Sequence, residues 1–245
     1  MSETAYVGHL LSVTGLKPDP AKVAAIERMD TPNDKAALQR FLGMVNYLAK
    51  FVPHLSDLCQ PLRQLLQKDS AWVWSQDHCQ AMKDVKAAIT RAPTLQFFDE
   101  RKEVSVQTDV SSTGLGAALL QEGQPVAYTS RALTRAEQGC SQNEKELLAV
   151  VFALERFDHY VYGRRVRVQR DHKPLEIISN KPIITAPKRL QRMLLRLQRY
   201  DHVIRDKPGK EMVIADTLSR VYGMEQHESV HMCSTQSALR SPWKL

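Results

Sequence analysis

The sequence predicts a mixed α/β fold, in which a five-stranded sheet flanked by helices is preceded by a small, mainly helical segment. Two observations lead to this prediction. Up to Pro93, apolar residues recur mostly at helical spacing, whereas after Pro93 the chain switches to short strand-like runs. In that second part three strands, a helix, a strand, a helix, a strand and a closing helix follow one another, an order typical of a mixed sheet with helices on its faces.

Ahead of Pro93 the chain combines one short β-prone stretch with amphipathic helices. Residues 6–16 are β-prone and bounded by glycine, which predicts a strand or a hairpin arm. Apolar residues then recur at helical spacing from an N-cap at Asn33, over residues 54–66, and from a further cap at Ser75 until Pro93. This part of the chain is therefore predicted to be mostly helical.

After Pro93, short alternating or continuous apolar runs indicate strands, and longer periodic runs indicate helices. The predicted strands cover residues 104–108, 114–120, 126–128, 166–170 and 203–204. The predicted helices cover residues 142–157, 187–200 and 213–220. From residue 221 onward the chain is polar and aperiodic, so we expect a disordered tail.

Composition restricts the class of protein. The chain of 245 residues carries 34 Lys and Arg against 27 Asp and Glu, a formal net charge of +7 that favours polyanionic partners. Its four cysteines lack the spacing of a zinc site, so we expect reduced thiols in a cytosolic or nuclear protein. The start has no basic region or apolar core, and no later apolar run reaches membrane-spanning length. Secretion and membrane insertion are therefore not expected.

Single acidic residues stand at the ends of two predicted strands and in two predicted helices. Asp109 ends the first strand, Glu146 lies in the first turns of the long helix, Asp171 ends the fourth strand, and Asp216 lies in the closing helix. Sites in α/β sheets assemble at strand ends and in the helices beside them, so these positions are able to meet. Taken one at a time, each acid is more commonly a helix cap or a solvated surface charge.

Such a set of carboxylates is typical of a site for hard divalent cations. Neighbouring carboxylates raise one another's pKa and resist ionisation unless a cation removes the repulsion. Two Mg2+ ions about 3.5 to 4 Å apart activate a water and stabilise the leaving oxygen in phosphodiester hydrolysis. Because Mg2+ takes oxygen ligands and keeps several waters, this chemistry requires no His or Cys cage.

Four strings around these acids resemble the RNase H motifs of gypsy-type LTR retrotransposon polyproteins. Residues 107–111 (QTDVS) with 114–117 (GLGA) are similar to the first motif, 143–150 (NEKELLAV) to helix A, 171–175 (DHKPL) to the third motif and 215–220 (ADTLSR) to the last. Upstream, residues 7–9 (VGH) and 15–19 (GLKPD) resemble the end of the palm of these reverse transcriptases, and residues 41–47 (FLGMVNY) resemble the thumb. The resemblance covers residues 6–220.

The resemblance implies a fold and an order of domains. It implies a remnant of a palm strand or hairpin over residues 1–16, a small helical thumb-like domain over 17–92, an RNase H-like domain over 93–220 and a tail over 221–245. The Tyr-x-Asp-Asp motif of the polymerase does not occur in this sequence, so polymerisation of nucleotides is not expected. The start at Met1 looks like a truncated reading frame or a chosen boundary.

The same resemblance implies an activity, a cofactor and a site. The chain is expected to be an endoribonuclease that cuts the RNA strand of RNA:DNA hybrids with two Mg2+ ions, or with Mn2+ in their place. The metal-binding catalytic carboxylates are expected to be Asp109, Glu146, Asp171 and Asp216. Glu144 is a rival for Glu146, because both flank the apolar stripe of the helix and the choice rests on the Glu-Leu-Leu-Ala string. The other interpretation of Glu144 is a charge at a helix N-terminus.

Three departures from the motif pattern bear on activity. Arg170 stands where the family usually has a small hydroxyl residue before the third Asp, and it either faces away from the metals or competes with them for that carboxylate. Met212 replaces the usual Asn of the last motif. Residues 205–210 contain no histidine, although cellular and retroviral RNases H place a mobile His ahead of the last Asp. We expect either weaker activity or another group that assists product release.

The expected partner is the backbone of a hybrid duplex, with 2'-hydroxyl contacts marking the RNA strand. Phosphate contacts are expected from Lys173 and from one face of the helix over residues 187–200, with a plain solvated face or a structural role as the alternatives. The arginines of that face are Arg189, Arg192, Arg196 and Arg199. The missing polymerase domains or a second copy of the chain are further candidate partners.

Two other functions fit parts of the pattern. A non-enzymatic hybrid-binding or structural remnant is the main alternative, in which Arg170 and Met212 record the loss of catalysis. An integrase or transposase shares the fold and the carboxylate chemistry but acts on DNA ends. The strings DHKPL and ADTLSR argue against that third function.

Overall fold

The computed structural model describes residues 3–68, 70–170 and 186–207. Several sequence-based predictions lie outside these ranges, namely the closing helix over residues 213–220, the tail from residue 221, and the residues Asp171, Lys173, Met212 and Asp216. The domain boundaries given above stay predictions.

An antiparallel three-stranded sheet opens the chain, where the sequence predicts a strand or a hairpin arm. Its strands are β1 (Thr4–Tyr6), β2 (His9–Ser12) and β3 (Gly15–Pro18), in the order β1-β2-β3. Gly8 and Gly15, with φ of +68° and +137°, allow the two tight turns. The backbones of Leu16 and Leu95 exchange two hydrogen bonds, at 2.8 and 2.9 Å, which tie this sheet to the segment that precedes the main sheet.

Helices dominate the chain from residue 20 to residue 90, which we call the helical segment. They are α1 (Pro20–Glu27), α2 (Lys35–Tyr47), α3 (Leu55–Leu58), α4 (Gln60–Gln64) and α5 (Gln76–Thr90), with a 3-10 turn at Ala49–Phe51. The carboxylate of Asp34 caps α2 by accepting from Ala37 N at 2.6 Å, so the cap predicted at Asn33 was wrong by one residue. The helix predicted over residues 54–66 is two short helices, because Pro61 lacks the N–H that a continuous helix needs there.

The main sheet has five strands and mixes parallel with antiparallel pairing, as predicted. Its strands are β4 (Val104–Val110), β5 (Gly114–Gln121), β6 (Gln124–Ala132), β7 (Val166–Arg170) and β8 (His202–Asp206), in the order β6-β5-β4-β7-β8. The pairs β4–β5 and β5–β6 are antiparallel, whereas β4–β7 and β7–β8 are parallel. The carboxyl ends of β4 and β7 therefore lie side by side at one edge of the sheet.

Within the described part of the chain, the helices that accompany the main sheet are α6 (Arg135–Gln138), α7 (Gln142–Arg156), α8 (Asp158–Val161) and α9 (Lys188–Leu197). The long helix α7 begins in a capping box, in which the Ser141 hydroxyl accepts from the backbone of Glu144 and the Glu144 carboxylate accepts from the backbone of Ser141. Among the described helices, none is long and apolar enough to cross a lipid bilayer.

Two hydrophobic cores lie on the two faces of the main sheet. Alternating residues of β5 divide between them, since Leu119 belongs to the core beneath α7 and α9, whereas Ala118 and Leu120 belong to the core beneath the helical segment. Tyr128 of β6 joins the second core. The helical segment is therefore packed against the sheet and covers one of its faces.

Candidate active site

Asp109 lies next to last in β4, at the carboxyl end of the strand. Its side chain is 52% exposed, and one carboxylate oxygen accepts a hydrogen bond from the backbone of Val110 at 2.8 Å. Asp109 pairs in register with Gly116 of the neighbouring strand β5. This carboxylate is open to solvent at the edge of the sheet where the sequence predicts the site.

His54 of the helical segment lies directly beside Asp109. Its Nε2 is 3.4 Å from Asp109 Oδ2, and its Nδ1 is 3.4 Å from Asp57 Oδ2. The His54 side chain is 6% exposed, and its backbone has a φ of +50°, in the left-handed region that few non-glycine residues adopt. The helical segment thus supplies a buried histidine to the neighbourhood of the predicted catalytic carboxylate.

Two glycines of β5 make room for this approach. A Cβ on Gly116 would lie 2.5 Å from Cε1 of His54, and a Cβ on Gly114 would collide with Asp57. A backbone hydrogen bond from Ser56 to the Ser130 hydroxyl, at 3.0 Å, fixes the same loop on β6. His54 is not among the residues predicted from the sequence, although glycines spaced two apart in an apolar strand signal the close approach of another segment.

Glu146 lies in the second turn of α7, with its side chain 10% exposed. Its carboxylate accepts a hydrogen bond from the Gln142 amide at 2.8 Å. Glu144, the rival position, accepts from the backbone N–H and the hydroxyl of Ser141 at 3.0 and 3.1 Å. The Glu144 carboxylate is thus used in capping the helix, and Glu146 stays the predicted metal ligand of this helix.

Arg170, the last residue of β7, is fully buried. It lies on the same face of the strand as Val168, which packs in the core beneath α7. Its Nη1 lies 3.7 Å from Glu146 Oε2. Arg170 therefore points toward Glu146, a contact that the sequence did not predict. Its predicted alternative, competition for the carboxylate of Asp171, lies outside the described residues.

The predicted carboxylates reach the edge of the sheet from different sides. Asp109 contacts the helical segment on one face, whereas Glu146 lies on α7 above the opposite face. Within residues 3–68, 70–170 and 186–207, no three His, Cys, Asp or Glu side chains lie close enough to hold one metal ion. Asp171 and Asp216, the other two predicted ligands, are outside the described residues.

The two described carboxylates differ in how well they suit a divalent cation as ligands. Asp109 presents solvent-exposed oxygen, the ligand that Mg2+ and Mn2+ prefer. Glu146 also presents oxygen, but a buried guanidinium already lies beside it. The residues present therefore fit a divalent cation, with the positive charge of Arg170 opposing it at one of the two positions.

The four arginines predicted to contact phosphate are all exposed on or just after α9. Arg196 is already engaged, since its guanidinium pairs with both carboxylate oxygens of Glu155. Arg199 lies over the ring of Tyr200, with 5.9 Å from Cζ to the ring centroid. The exposure of Arg189 and Arg192 suits contacts with a polyanion.

A polar groove of about 670 Å³ borders the turn that follows Asp109. Its lining includes Thr113 of that turn, Arg63 of α4, Arg135 of α6 and the glutamines Gln60, Gln64, Gln67 and Gln138. Guanidinium and amide groups donate hydrogen bonds, which suits phosphate and sugar oxygens. The groove was not predicted from the sequence, because its two walls come from segments far apart in the chain.

Part of the chain matches a known family of domains. Residues 74–168 match the family model described as the RNase H-like domain found in reverse transcriptase. The chain therefore contains an RNase H-like domain of the kind found in reverse transcriptases.

Two relatives of the chain are transposon polyproteins. It is 37% identical over 228 residues to the retrovirus-related Pol polyprotein from transposon 297 of Drosophila melanogaster, across 93% of this chain and 21% of the relative. It is 33% identical over 227 residues to the transposon Tf2-3 polyprotein of Schizosaccharomyces pombe, across 90% of this chain and 17% of the relative. The chain thus spans about a fifth of the length of these relatives. The resemblance to gypsy-type LTR retrotransposon reverse transcriptases is confirmed.

Two solved structures share the fold. A foamy viral protease-reverse transcriptase dRH in complex with double-stranded DNA has a TM-score of 0.73 at 21% identity, over 84% of this chain and 38% of that one. A foamy viral protease-reverse transcriptase in complex with RNA/DNA hybrid has a TM-score of 0.72 at 19% identity, over 98% of this chain and 32% of that one. At these identities the likeness confirms the predicted fold class.

Proposed function

We propose that this chain is a divalent-metal-dependent ribonuclease H, which cuts the RNA strand of RNA:DNA hybrids. One observation carries the proposal. Asp109 exposes its carboxylate at the carboxyl end of β4, beside the end of the parallel strand β7, on an RNase H-like sheet. Asp171 follows β7 directly in sequence, which supports a second carboxylate at the same edge.

The proposed site consists of carboxylates only. Asp109 and Glu146, together with Asp171 and Asp216 by motif resemblance, would hold two Mg2+ or Mn2+ ions. When bound, such ions supply activation of the attacking water and charge neutralisation at the leaving oxygen, which yields a 5'-phosphate and a 3'-hydroxyl. His54 would position Asp109, because its buried ring contacts that carboxylate.

The proposed substrate is held through its backbone. Arg189, Arg192 and Lys173 would contact phosphates, and the polar groove beside Thr113 would accept a neighbouring stretch of duplex. Arg196 and Arg199 contribute less in this proposal, since Glu155 and Tyr200 already engage them. A foamy viral relative in fold is described in complex with RNA/DNA hybrid, which supports this class of partner.

Cleavage of a labelled RNA:DNA hybrid by the Asp109→Asn variant tests the proposal. We expect a loss of cleavage of at least a hundredfold, because the variant removes one negative charge from the metal site, while the melting temperature stays nearly unchanged. Glu103→Gln is the matched control, since Glu103 is an exposed carboxylate that precedes the opposite end of the same strand. Duplex RNA and duplex DNA serve as substrate controls. Equal cleavage by wild type and Asp109→Asn would refute the assignment.

The salt dependence of hybrid binding tests two basic surfaces separately. One is the face of α9 that includes Arg192, and the other is the groove that Arg135 lines. Removing one phosphate contact lowers the slope of log K against log salt by about 1. We expect this change for Arg192→Gln and for Arg135→Gln, measured by fluorescence anisotropy without divalent metal. Arg167→Gln is the control, since Arg167 is paired with Glu103 at 2.8 Å. An unchanged slope for both test variants would mean that neither surface contacts the hybrid.

A non-catalytic hybrid-binding protein is the second candidate. The observation that favours it is the buried Arg170 beside Glu146, which opposes metal binding at that carboxylate. Such a protein would bind hybrid with the same salt dependence but cleave nothing at any concentration of Mg2+ or Mn2+. The cleavage assay therefore distinguishes the two functions.

A further inference from the structure

We propose that Arg170 acts as a built-in competitor for divalent metal at Glu146, so that replacing it with an uncharged residue of similar size tightens metal binding. This inference rests on the proposed function, because it takes Glu146 as a metal ligand. It concerns the strength of metal binding, which is measured separately from cleavage.

The geometry provides the first step. The Arg170 side chain is 0% exposed and that of Glu146 is 10% exposed, with 3.7 Å between Nη1 and Oε2. The ion pair is therefore shielded from solvent on nearly all sides. In such surroundings Coulomb interactions are screened much less than between surface charges.

The permanence of the charge provides the second step. A guanidinium stays protonated in proteins, so Arg170 cannot escape burial by losing its proton. A divalent cation that approaches Glu146 must then either displace the guanidinium from the carboxylate or sit beside a fixed positive charge. Both alternatives weaken binding relative to a carboxylate without such a neighbour.

Arg167 shows how an ordinary arginine behaves on the same strand. Three positions earlier in β7, it points away from the core beneath α7 and pairs with Glu103 at 2.8 Å, with side-chain exposures of 59% for Arg167 and 76% for Glu103. Such exposed pairs are screened and contribute little. Arg167 thus provides a matched control that has the same residue type and the same strand but no contact with the proposed site.

Calorimetric titration of the full chain with Mn2+ alone tests the inference. We compare wild type, Arg170→Met, which keeps much of the side-chain volume but removes the charge, and Arg167→Met. Arg170→Met is expected to bind Mn2+ at least tenfold more tightly than wild type, whereas Arg167→Met binds as wild type does. Melting curves with and without Mn2+ should show the larger metal-dependent rise for Arg170→Met, because the metal then compensates the buried Glu146.

Each outcome decides the matter. If folded Arg170→Met binds Mn2+ no more tightly than wild type, the inference is wrong. If the wild type nevertheless cleaves hybrid, the proposed function survives. If wild type and Arg170→Met both fail to bind Mn2+ and to cleave hybrid, both proposals fail. Should Arg170→Met not fold, Arg170→Gln replaces it. If neither variant folds even in saturating Mn2+, Arg170 is an essential part of the core and the inference is overturned.

Discussion

Asp109 and Glu146 are predicted to do the same work, yet their surroundings differ. Asp109 is half-exposed and lies against a buried histidine from the helical segment. Glu146 is nearly buried and lies against a guanidinium that is always charged. One carboxylate is free to take a cation from solvent, whereas the other already has a cation beside it. Two carboxylates to which the motifs assign the same role therefore differ in their electrostatic surroundings.

The largest expected effect breaks the buried pair. Glu146→Gln removes the negative charge that lies 3.7 Å from the buried Arg170 guanidinium, so we expect a loss of unfolding free energy of about 2 to 3 kcal/mol. Asp109→Asn, at an exposed strand end, should change the same quantity by less than about 0.5 kcal/mol. Urea unfolding in EDTA measures both. Similar losses for the two variants would remove the contrast on which the comparison rests.

A smaller effect is expected where the helical segment meets Asp109. Gly116→Val places side-chain carbon where the His54 ring lies, so the loop must shift, at a cost of about 1 to 3 kcal/mol in unfolding free energy. Hybrid cleavage should fall together with stability. Gly43→Ala in α2 is the control, because its Cβ would meet nothing within 4 Å and should stabilise the helix by about 0.5 to 1 kcal/mol. A Gly116→Val variant as stable as wild type would contradict the described packing.

The smallest effect concerns Glu137, a carboxylate that pairs with arginine near the surface and has no role at the proposed metal site. Hydrogen bonds from Arg131, together with those from Thr134, lower the pKa of Glu137 to about 2, from 4.5. Because the folded pKa is depressed, the pair stabilises the fold above about pH 4.5 and loses this contribution as pH falls toward 2. Glu137→Gln should cost about 1 kcal/mol at pH 7, and this cost should shrink as the pH falls through 2, where the folded carboxyl becomes protonated.

Urea unfolding as a function of pH checks this expectation. Glu122→Gln is the control, since Glu122 pairs with Lys102 at 2.7 Å but is 62% exposed and should contribute less. A Glu137→Gln loss that does not shrink as the pH falls would show that packing, and not the ion pair, sets the cost. The value at pH 7 also gives the scale against which the buried pair of Glu146 is judged.

Local patterns were enough to predict the elements of the main sheet. The helix predicted over residues 142–157 is observed at Gln142–Arg156, and the strand predicted over residues 166–170 is observed at Val166–Arg170. Strand β6 extends beyond the predicted residues 126–128 to Gln124–Ala132, because its ends are held by pairing with β5 rather than by their own apolar residues. Periodicity detects buried faces and misses the parts of a strand that only hydrogen bonding defines.

Contacts between distant segments were beyond the sequence analysis. Motif resemblance indicated Asp109 and Glu146. The two glycines of β5 signal that some segment approaches Asp109, but no local pattern identifies that segment as His54 or gives the direction of Arg170. His54 reaches Asp109 only because the helical segment packs on β5, and Arg170 reaches Glu146 only because α7 crosses the same face of the sheet. Both contacts depend on tertiary packing, which cannot be predicted from residue spacing.

Because Ala118, Leu120 and Tyr128 share one core with the helical segment, the sheet does not have a complete apolar interior of its own. Separating the two parts at residue 93 would leave a bare hydrophobic strip along β5 and β6. We therefore expect the portion of this chain that folds as one unit to include both the helices and the sheet.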